Sequence, residues 1–415
     1  MIAFCSFLIL MQDPDEKLRK MQDQIDAMEK QILEMKAEME ALRFETAPMP
    51  SAQEEKPTPL NFFNPTITVF GNLGLRLDSK TVRAEEGDQV DDHFFMRATE
   101  LDFRASIDPY ADAVAIIAVE QEAGGEFAVE AEEAYAVIKR LPLIEDAPLG
   151  MKIKAGRFRP PFGLVNQLHL HDLPWTTRPG PVVNYLGSES GNSFFEAGWA
   201  DEGAGLNFLL PDSLTPEGSA VELSYYAMDT GGIAIGEGNN GVIPGHMSRL
   251  QWYVEADEVN DFNMGTSHYR EDGHRGIDLY GFDFMVRYRP STFESFVFGG
   301  ELFYGDRKGN EEEDGDLIRT RNTPVGFFTF LQYQPDWPWY LGVRYDYWED
   351  VDDDEIEDQV LGGYVSYYTS EFLRFRLGYE HAWSDEDLRD GNNTLYLELN
   401  WVFGSHPREP FWVNR

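Results

Sequence analysis

The chain has 415 residues, 14% of them aromatic, one cysteine and a formal net charge of -40. The aromatic content excludes a disordered chain, and the shortage of lysine and arginine argues against nucleic acid as a partner, because binding phosphates requires clustered positive charge. One cysteine excludes an internal disulfide and a thiolate metal cluster, and no run approaches the roughly 20 apolar residues of a membrane-spanning helix.

The first element is the apolar run Ile2–Met11, "IAFCSFLILM". Its length is typical of the hydrophobic part of a signal peptide, although no Lys or Arg precedes it and no small-residue cleavage site follows. We interpret residues 1–12 as an export signal that lacks its charged front. A short buried N-terminal segment is the alternative.

Residues 13–43 carry an apolar repeat with alternating spacings of three and four. Such a heptad pattern predicts a left-handed coiled coil, whereas a helix lying on a folded domain usually has a wider apolar stripe. The coiled coil implies a homo-oligomer, and the residue types do not separate a dimer from a trimer. The apolar positions are Leu18, Met21, Ile25, Met28, Ile32, Met35, Met39 and Leu42.

Residues 44–60 are rich in proline and polar side chains, which predicts a semi-rigid linker. From residue 61 to residue 415 the chain alternates apolar and polar residues in short segments, as β-strands with one apolar face do. We predict about 14 to 16 strands. The clean segments are Thr66–Asp78, Ala98–Asp108, Ile277–Arg289, Phe296–Tyr304, Trp339–Tyr347, Leu373–Tyr379 and Leu395–Phe403. The less regular segments are Asp112–Glu122, Val129–Leu141, Met151–Arg159, Gly203–Leu210, Ala220–Met228, Asp261–Arg270, Asn322–Gln334 and Gln359–Ser370.

The apolar faces of these strands carry aromatic residues near strand ends, which is typical of the girdles of an outer-membrane barrel. Examples are Tyr304, Tyr345, Tyr347, Tyr379, Trp401 and Phe403. Short links such as Thr369–Phe372 alternate with long acidic ones such as Gly305–Asn322 and Glu349–Gln359, as periplasmic turns alternate with outer loops. We therefore predict an all-β transmembrane barrel of about 16 antiparallel strands, preceded by a periplasmic coiled coil, in the outer membrane of a Gram-negative-type bacterium.

Four blocks of the sequence resemble a family of bacterial porin-like outer-membrane proteins and are similar to the phosphate-selective porin group. They are "FNPTITVFGNLGLRLD", "RATELDFRASIDPYADA", "KAGRFRPPFGLVNQLHLHDLPWTTRP" and "ELNWVFGSHP". The resemblance implies a barrel of 16 strands, often trimeric, with an N-terminal coiled coil in some relatives. It also implies passive uptake of small solutes, so that lipid, solute and further copies of the chain, three being favoured, are the expected partners.

In a porin, the polar faces of the strands line the channel and set its selectivity. The alternative is that these charges merely pair across strands and keep the lumen wet. Basic and acidic wall residues are nearly balanced, so most of the excess negative charge lies in the loops and the coiled coil. The predicted wall residues are Arg76, Arg104, Lys152, Lys154, Arg287, Arg289, Arg344, Arg374, Arg376, Glu100, Asp102, Asp283, Glu301, Asp346, Glu380 and Glu398.

The segment Arg159–Gly187 is the most distinctive stretch outside the strands, with five prolines among aromatic and histidine residues. We predict an ordered loop that folds into the barrel and narrows it. Within it, His169, His171 and Asp172 form an H-x-H-D cluster, but two histidines at this spacing are more often ordinary loop residues than ligands. We therefore assign no metal site and no cofactor.

The sequence contains no G-x-S-x-G, H-E-x-x-H or Gly-rich phosphate motif, so we predict no enzymatic activity. The predicted function is that of an outer-membrane porin for passive diffusion of small hydrophilic solutes or ions. The alternative is a structural tether or surface-binding barrel with a plugged lumen.

Overall fold

The structure is a computed structural model. It describes residues 65–83, 89–90, 93–121, 125–141, 147–187, 194–195, 198–229, 232–235, 244–271, 276–313, 316–385, 390–405, 410 and 412–413. The predicted signal, coiled coil and linker of residues 1–60 lie outside these described residues, so those three expectations stay predictions.

In the described part of the chain, sixteen antiparallel strands form a closed ring in which each strand pairs with its neighbours in sequence. The ring closes because β1 pairs with the second strand and with the last one. Val69, for example, lies opposite both Leu101 and Phe403. The strands are β1 Thr66–Asp78, β2 Phe94–Asp108, β3 Ala111–Gln121, β4 Phe127–Ile138, β5 Lys152–Phe158, β6 Asp201–Leu209, β7 Ser219–Met228, β8 Gly245–Glu255, β9 Asn260–Glu271, β10 Ile277–Tyr288, β11 Ser295–Glu313, β12 Val325–Asp336, β13 Trp339–Glu349, β14 Glu357–Ser370, β15 Leu373–Ser384 and β16 Asn393–Gly404.

The predicted strand count is confirmed, and the sequence analysis missed one strand, β8. Its outward residues Leu250 and Trp252 are exposed, but Met247 and Tyr253 occupy the inward parity. Apolar side chains on both faces hide the alternation, which is why β8 escapes a search for period two.

Two short strand pairs lie outside the ring of sixteen. Val82–Arg83 pairs with Gln89–Val90, and Asp316–Asn322 pairs with the far half of β11, where Arg307 faces Asn322. The stretch Gly305–Asn322, which we expected to be a long link, is therefore largely a β-hairpin that continues the wall. A seven-residue helix, α1 (Gly180–Leu186), also occurs between β5 and β6, where no helical period was expected.

The two faces of each strand have opposite character. On β16, Leu395 and Leu397 are exposed while Tyr396 and Glu398 are buried. The outward face is apolar and carries exposed aromatic residues near both strand ends, as a lipid-facing barrel wall requires. Trp339, Tyr367 and Phe403 lie towards one end, and Tyr280, Tyr304 and Tyr379 towards the other.

Tight turns join strands at one end of the barrel, for example between Asp108 and Ala111 and between Ser370 and Leu373. We call this the short-turn end and the other the long-loop end, which holds the long connection from β5 to β6. No helix among the described residues is long and apolar enough to cross a membrane.

Candidate functional site

The segment Arg159–Gly187, called here the inner segment, lies inside the barrel, as the sequence predicted. Its apolar side chains pack on inward-facing aromatic residues of the wall. Trp175 packs edge-on against Phe328 and Phe330, with ring centroids 5.9 and 4.8 Å apart, and Phe162 stacks on Phe303. The barrel interior therefore contains a hydrophobic core in its described part.

Irregular backbone at this depth needs hydrogen-bond partners, because a buried peptide group without one is costly. Arginines of the wall supply donors to successive carbonyls of the inner segment. The contacts run from Arg374 to His171 (2.8 Å), Arg376 to Leu173 (2.7 Å), Arg97 to Thr176 (2.7 Å) and Arg344 to Thr177 (2.8 Å). These charge-assisted bonds hold the segment against the β2 and β13–β15 side of the barrel.

Acidic wall residues accept hydrogen bonds from backbone N–H groups of the same inner segment. Glu301 on β11 accepts from the amides of Leu164 (2.6 Å) and Val165 (2.8 Å), and Asp346 accepts from Gly180 (3.1 Å). Gly163 has a φ of +67°, and a Cβ there would lie 2.1 Å from the Glu301 carboxylate. Only glycine therefore permits this approach without displacement.

Most of the sequence-predicted wall residues are buried inside the barrel. Arg374 (3.1 Å) and Arg376 (3.0 Å) both form ion pairs with Glu398. Arg344 forms ion pairs with Asp346 (2.9 Å) and Glu380 (3.2 Å). Asp283 pairs with Arg249 (2.6 Å), and Arg76 with Asp78 (2.6 Å). These charges pair, as the alternative hypothesis expected, and Arg344, Arg374 and Arg376 also bind the inner segment. A role in selectivity stays a prediction.

Four predicted wall residues lie in more open surroundings. Arg104, exposed, pairs with the buried Asp102 (2.8 Å), and Lys152 is exposed. Arg287 and Arg289 both contact Asp261, at 2.9 and 3.0 Å, close to the short-turn end. Lys154 is more enclosed, since its side chain is 12% exposed and lies 4.0 Å from Glu133.

Two inward-facing arginines of the wall strands were missed by the sequence analysis, for different reasons. At Arg97 the register between β1 and β2 shifts, since Asn72 faces Ala98 while Leu73 faces Met96. This bulge turns Arg97 inward next to Ala98, so parity counted from Glu100 assigns it to the wrong face. Arg249 lies on the missed strand β8.

The predicted H-x-H-D cluster is replaced by a different one, in which the carboxylates come from β2 and β4. His169 contacts Glu132 (2.6 Å), Glu100 (3.0 Å) and Glu133 (3.0 Å). His171 contacts Glu100 (3.1 Å), and Asp172 lies 3.6 Å from the far nitrogen of His171. Burial and the Arg159 guanidinium oppose protonation, but Glu100 and Glu132 hold the pKa of His169 well above its usual range.

Trp412 fills the interior beneath the inner segment. Its indole N–H donates to the carbonyl of Asp172 (2.6 Å), and its own carbonyl accepts from Gln332 (2.7 Å). The ring packs edge-on against Tyr340 and lies 5.5 Å from the Arg374 guanidinium. Since Tyr340 is the second residue of β13, Trp412 lies towards the short-turn end. The sequence analysis assigned no role to Trp412.

Comparisons with known proteins agree with the architecture. No protein-family model matches the chain. A protein of Aquifex aeolicus (strain VF5), described only as uncharacterized, is 24% identical over 356 residues, which cover 77% of this chain and 70% of that protein. The solved structure of an anion-selective porin from Comamonas acidovorans has a TM-score of 0.52 at 8% identity, covering 82% of this chain and 100% of that one. Salmonella typhi OmpF in complex with daunomycin has a TM-score of 0.50 at 13% identity, covering 81% and 97%. At such identities these similarities show a shared fold, that of porin barrels.

Proposed function

We propose that the chain is an outer-membrane porin-like channel for small hydrophilic solutes or ions, in which the inner segment forms the constriction. The observation that carries the proposal is the row of wall arginines bound to carbonyls of the inner segment at 2.7 to 2.8 Å. Several buried charged side chains fix the position of this one internal loop, and the position of the loop sets the size of the lumen. The apolar outer face supports insertion in lipid.

A cleft remains between the inner segment and the wall. Trp175 of the inner segment lines it, together with Arg344, Gly362 and Glu380, which are direct neighbours on strands β13 to β15 of the wall. At Gly362 a Cβ would lie 3.0 Å from the Glu380 side chain. We assign the narrowest part of the lumen to this cleft, beside the paired Arg344 and Glu380, and we keep the predicted wall residues as its wider surroundings.

Single-channel conductance tests this function. The full chain, folded in detergent and inserted in a planar bilayer under a salt gradient, is expected to show small stepwise currents. Heat-modifiable migration on gels is the control, because it verifies that the barrel is folded before it is inserted. The function is refuted if folded barrel inserts and carries no current at any voltage tested.

The second candidate is a barrel with a plugged lumen that acts as a tether or surface-binding protein. It is favoured by the near-complete burial of inward-facing charges: Arg376 is 2% exposed and Asp346 0%. Water-filled channels leave such groups hydrated. Conductance separates the two candidates, because a plugged barrel carries no current in the wild type.

The other expectations of assembly and placement belong to the same proposal. We place the barrel of residues 61–415 in the outer membrane, with residues 13–43 as a coiled coil in the periplasm and a trimer as the favoured assembly. We also propose kinship with the phosphate-selective porin group, which the quoted sequence blocks support. We propose no catalytic activity.

A further inference from the structure

The surroundings of His169 differ from an ordinary buried ion pair. The inner segment carries the imidazole between β2 and β4, where it meets Glu100, Glu132 and Glu133. The side chains of all four residues are at most 8% exposed. At this depth each polar atom needs a defined partner.

The two ring nitrogens of His169 have different surroundings. Nε2 and Oε1 of Glu133 are 3.0 Å apart and form a hydrogen bond. Since an ionised carboxylate can only accept, Nε2 carries the proton, and in a neutral imidazole Nδ1 then presents a lone pair. That lone pair faces Oε2 of Glu132 at 2.6 Å and Oε2 of Glu100 at 3.0 Å. Such an arrangement is repulsive unless a positive charge lies between the three atoms.

A proton on Nδ1 is one such charge, and a metal ion that displaces the proton is another. Among the described residues no group stands in hydrogen-bonding geometry with Nδ1, although two oxygens are within 3.0 Å. The three atoms lie close enough together to share one ion, and binding has to widen the 2.6 Å separation between Nδ1 and Glu132. Ligands bound at about 2.0 to 2.2 Å to a tetrahedral Zn²⁺ lie about 3.3 to 3.6 Å from one another.

Acidic groups surround the ligand atoms on several sides. Glu100, Glu132 and Glu133 face His169, and Glu120 lies beside Glu132. Arg159 is 3.1 Å from Glu132, and Lys154 is 4.0 Å from Glu133. His171 approaches Glu100 from the other side, at 3.1 Å.

We propose that Nδ1 of His169 and the Oε2 atoms of Glu100 and Glu132 bind one divalent transition-metal ion. A mixed imidazole and carboxylate donor set suits Zn²⁺ and its neighbours among the transition metals. Glu133 on Nε2 of His169 is the outer-shell partner that ligating histidines usually have, and His171 orients Glu100 in the same way. The ion fastens the inner segment to β2 and β4, whether or not the barrel conducts.

Metal content of the full-length protein tests the site. The protein is folded in detergent with Zn²⁺, desalted, and compared with a sample folded in EDTA. The expected result is one Zn²⁺ retained per chain and a higher unfolding temperature than in the EDTA sample. His169→Ala and Glu132→Gln are both expected to lose the ion, the latter without a change of side-chain size. Heat-modifiable migration verifies that each variant is folded.

A matched control removes a histidine elsewhere. His268 pairs with Asp278 at 3.0 Å on the outside of the barrel, so His268→Ala is expected to keep the ion. The visible absorption of Co²⁺ bound in place of Zn²⁺ reports directly on the coordination of the ion. A purely structural role of His169 would give no such signal. The proposal is overturned if the folded wild type retains no Zn²⁺, or if folded His169→Ala and Glu132→Gln retain as much as it does. In either case His169 is a protonated partner of the carboxylates.

Discussion

The guanidinium of Arg376 donates to the carbonyl of Leu173 at 2.7 Å, so strand β15 holds the backbone of the inner segment directly. The same guanidinium forms two bonds to Glu398, at 3.1 and 3.0 Å. The Arg376 side chain therefore links β15 to β16 and also links the barrel wall to the inner segment.

Arg376→Ala is expected to loosen the inner segment and to raise single-channel conductance, because it removes the donor to Leu173. Since Glu398 keeps Arg374 as a partner, the loss of stability should lie near the lower end of the range for a broken buried pair, about 3 kcal/mol. Urea unfolding in detergent measures it. The control is Lys139→Ala, which removes a solvent-exposed pair with Asp112, with an expected cost below about 1 kcal/mol. Equal effects of the two variants on conductance would contradict the role given to Arg376.

Gly163→Ala is expected to displace the first turn of the inner segment. The added Cβ would lie 2.1 Å from the Glu301 carboxylate, and the left-handed φ of +67° adds strain, for a combined cost of about 1 to 3 kcal/mol. Gly125 also has a left-handed φ, +88°, but a Cβ there meets nothing nearer than 3.8 Å. Gly125→Ala therefore isolates the backbone strain, and unfolding of both variants measures the difference. A cost for Gly163→Ala no larger than that for Gly125→Ala would show that the Glu301 contact does not constrain the loop.

Trp412→Ala is expected to open the interior towards the short-turn end. It removes a side chain that is 1% exposed, and such truncations cost about 3 to 5 kcal/mol. If the barrel conducts, current noise and mean conductance should both rise. Trp383, which is 40% exposed on the outer face, provides the control, since Trp383→Ala should leave conductance unchanged. An unaltered current trace for Trp412→Ala would place the limiting constriction elsewhere.

Leu397→Arg tests the assignment of the outer face to lipid. Leu397 is 45% exposed and pairs with Leu75 and Leu377 in the middle of the wall. A charge at the bilayer midplane costs about 2 to 4 kcal/mol, and near the interface about 0 to 1. Ile107→Arg, at an exposed position one residue from the end of β2, is the matched control. Folding yield into lipid vesicles should fall for Leu397→Arg and not for Ile107→Arg; a barrel in water would tolerate both.

The wall could be predicted from the sequence because burial and exposure alternate along each strand. β1 extends over Thr66–Asp78, the bounds that the alternation gives, and on β16 Leu397 and Glu398 face opposite sides as expected. The failures occur where that alternation is broken. A bulge reverses the parity of Arg97, and β8 carries Met247 and Tyr253 on its inner face.

The interior was beyond sequence reasoning for a different reason. Period two tells which side of the wall a residue faces, but not which residues meet across the lumen. Glu100, Glu132 and His169 come from three distant parts of the chain, and curvature of the ring and the path of the inner segment bring them together. Likewise, nothing in the residues around Trp412 indicates that its indole reaches Asp172.

The way the ring closes has a consequence for the order of folding. Contacts between strands that follow one another in sequence are local, whereas the closing pair of β1 with β16 and the interior both join residues far apart. Arg376 and Leu173 are separated by 203 positions, and Trp412 and Asp172 by 240. Distant contacts require the larger loss of chain entropy and tend to form late. The hairpins of the wall can therefore form before the ring closes and the lumen is filled, at a stage when the inward-facing arginines are still hydrated and lack their final partners.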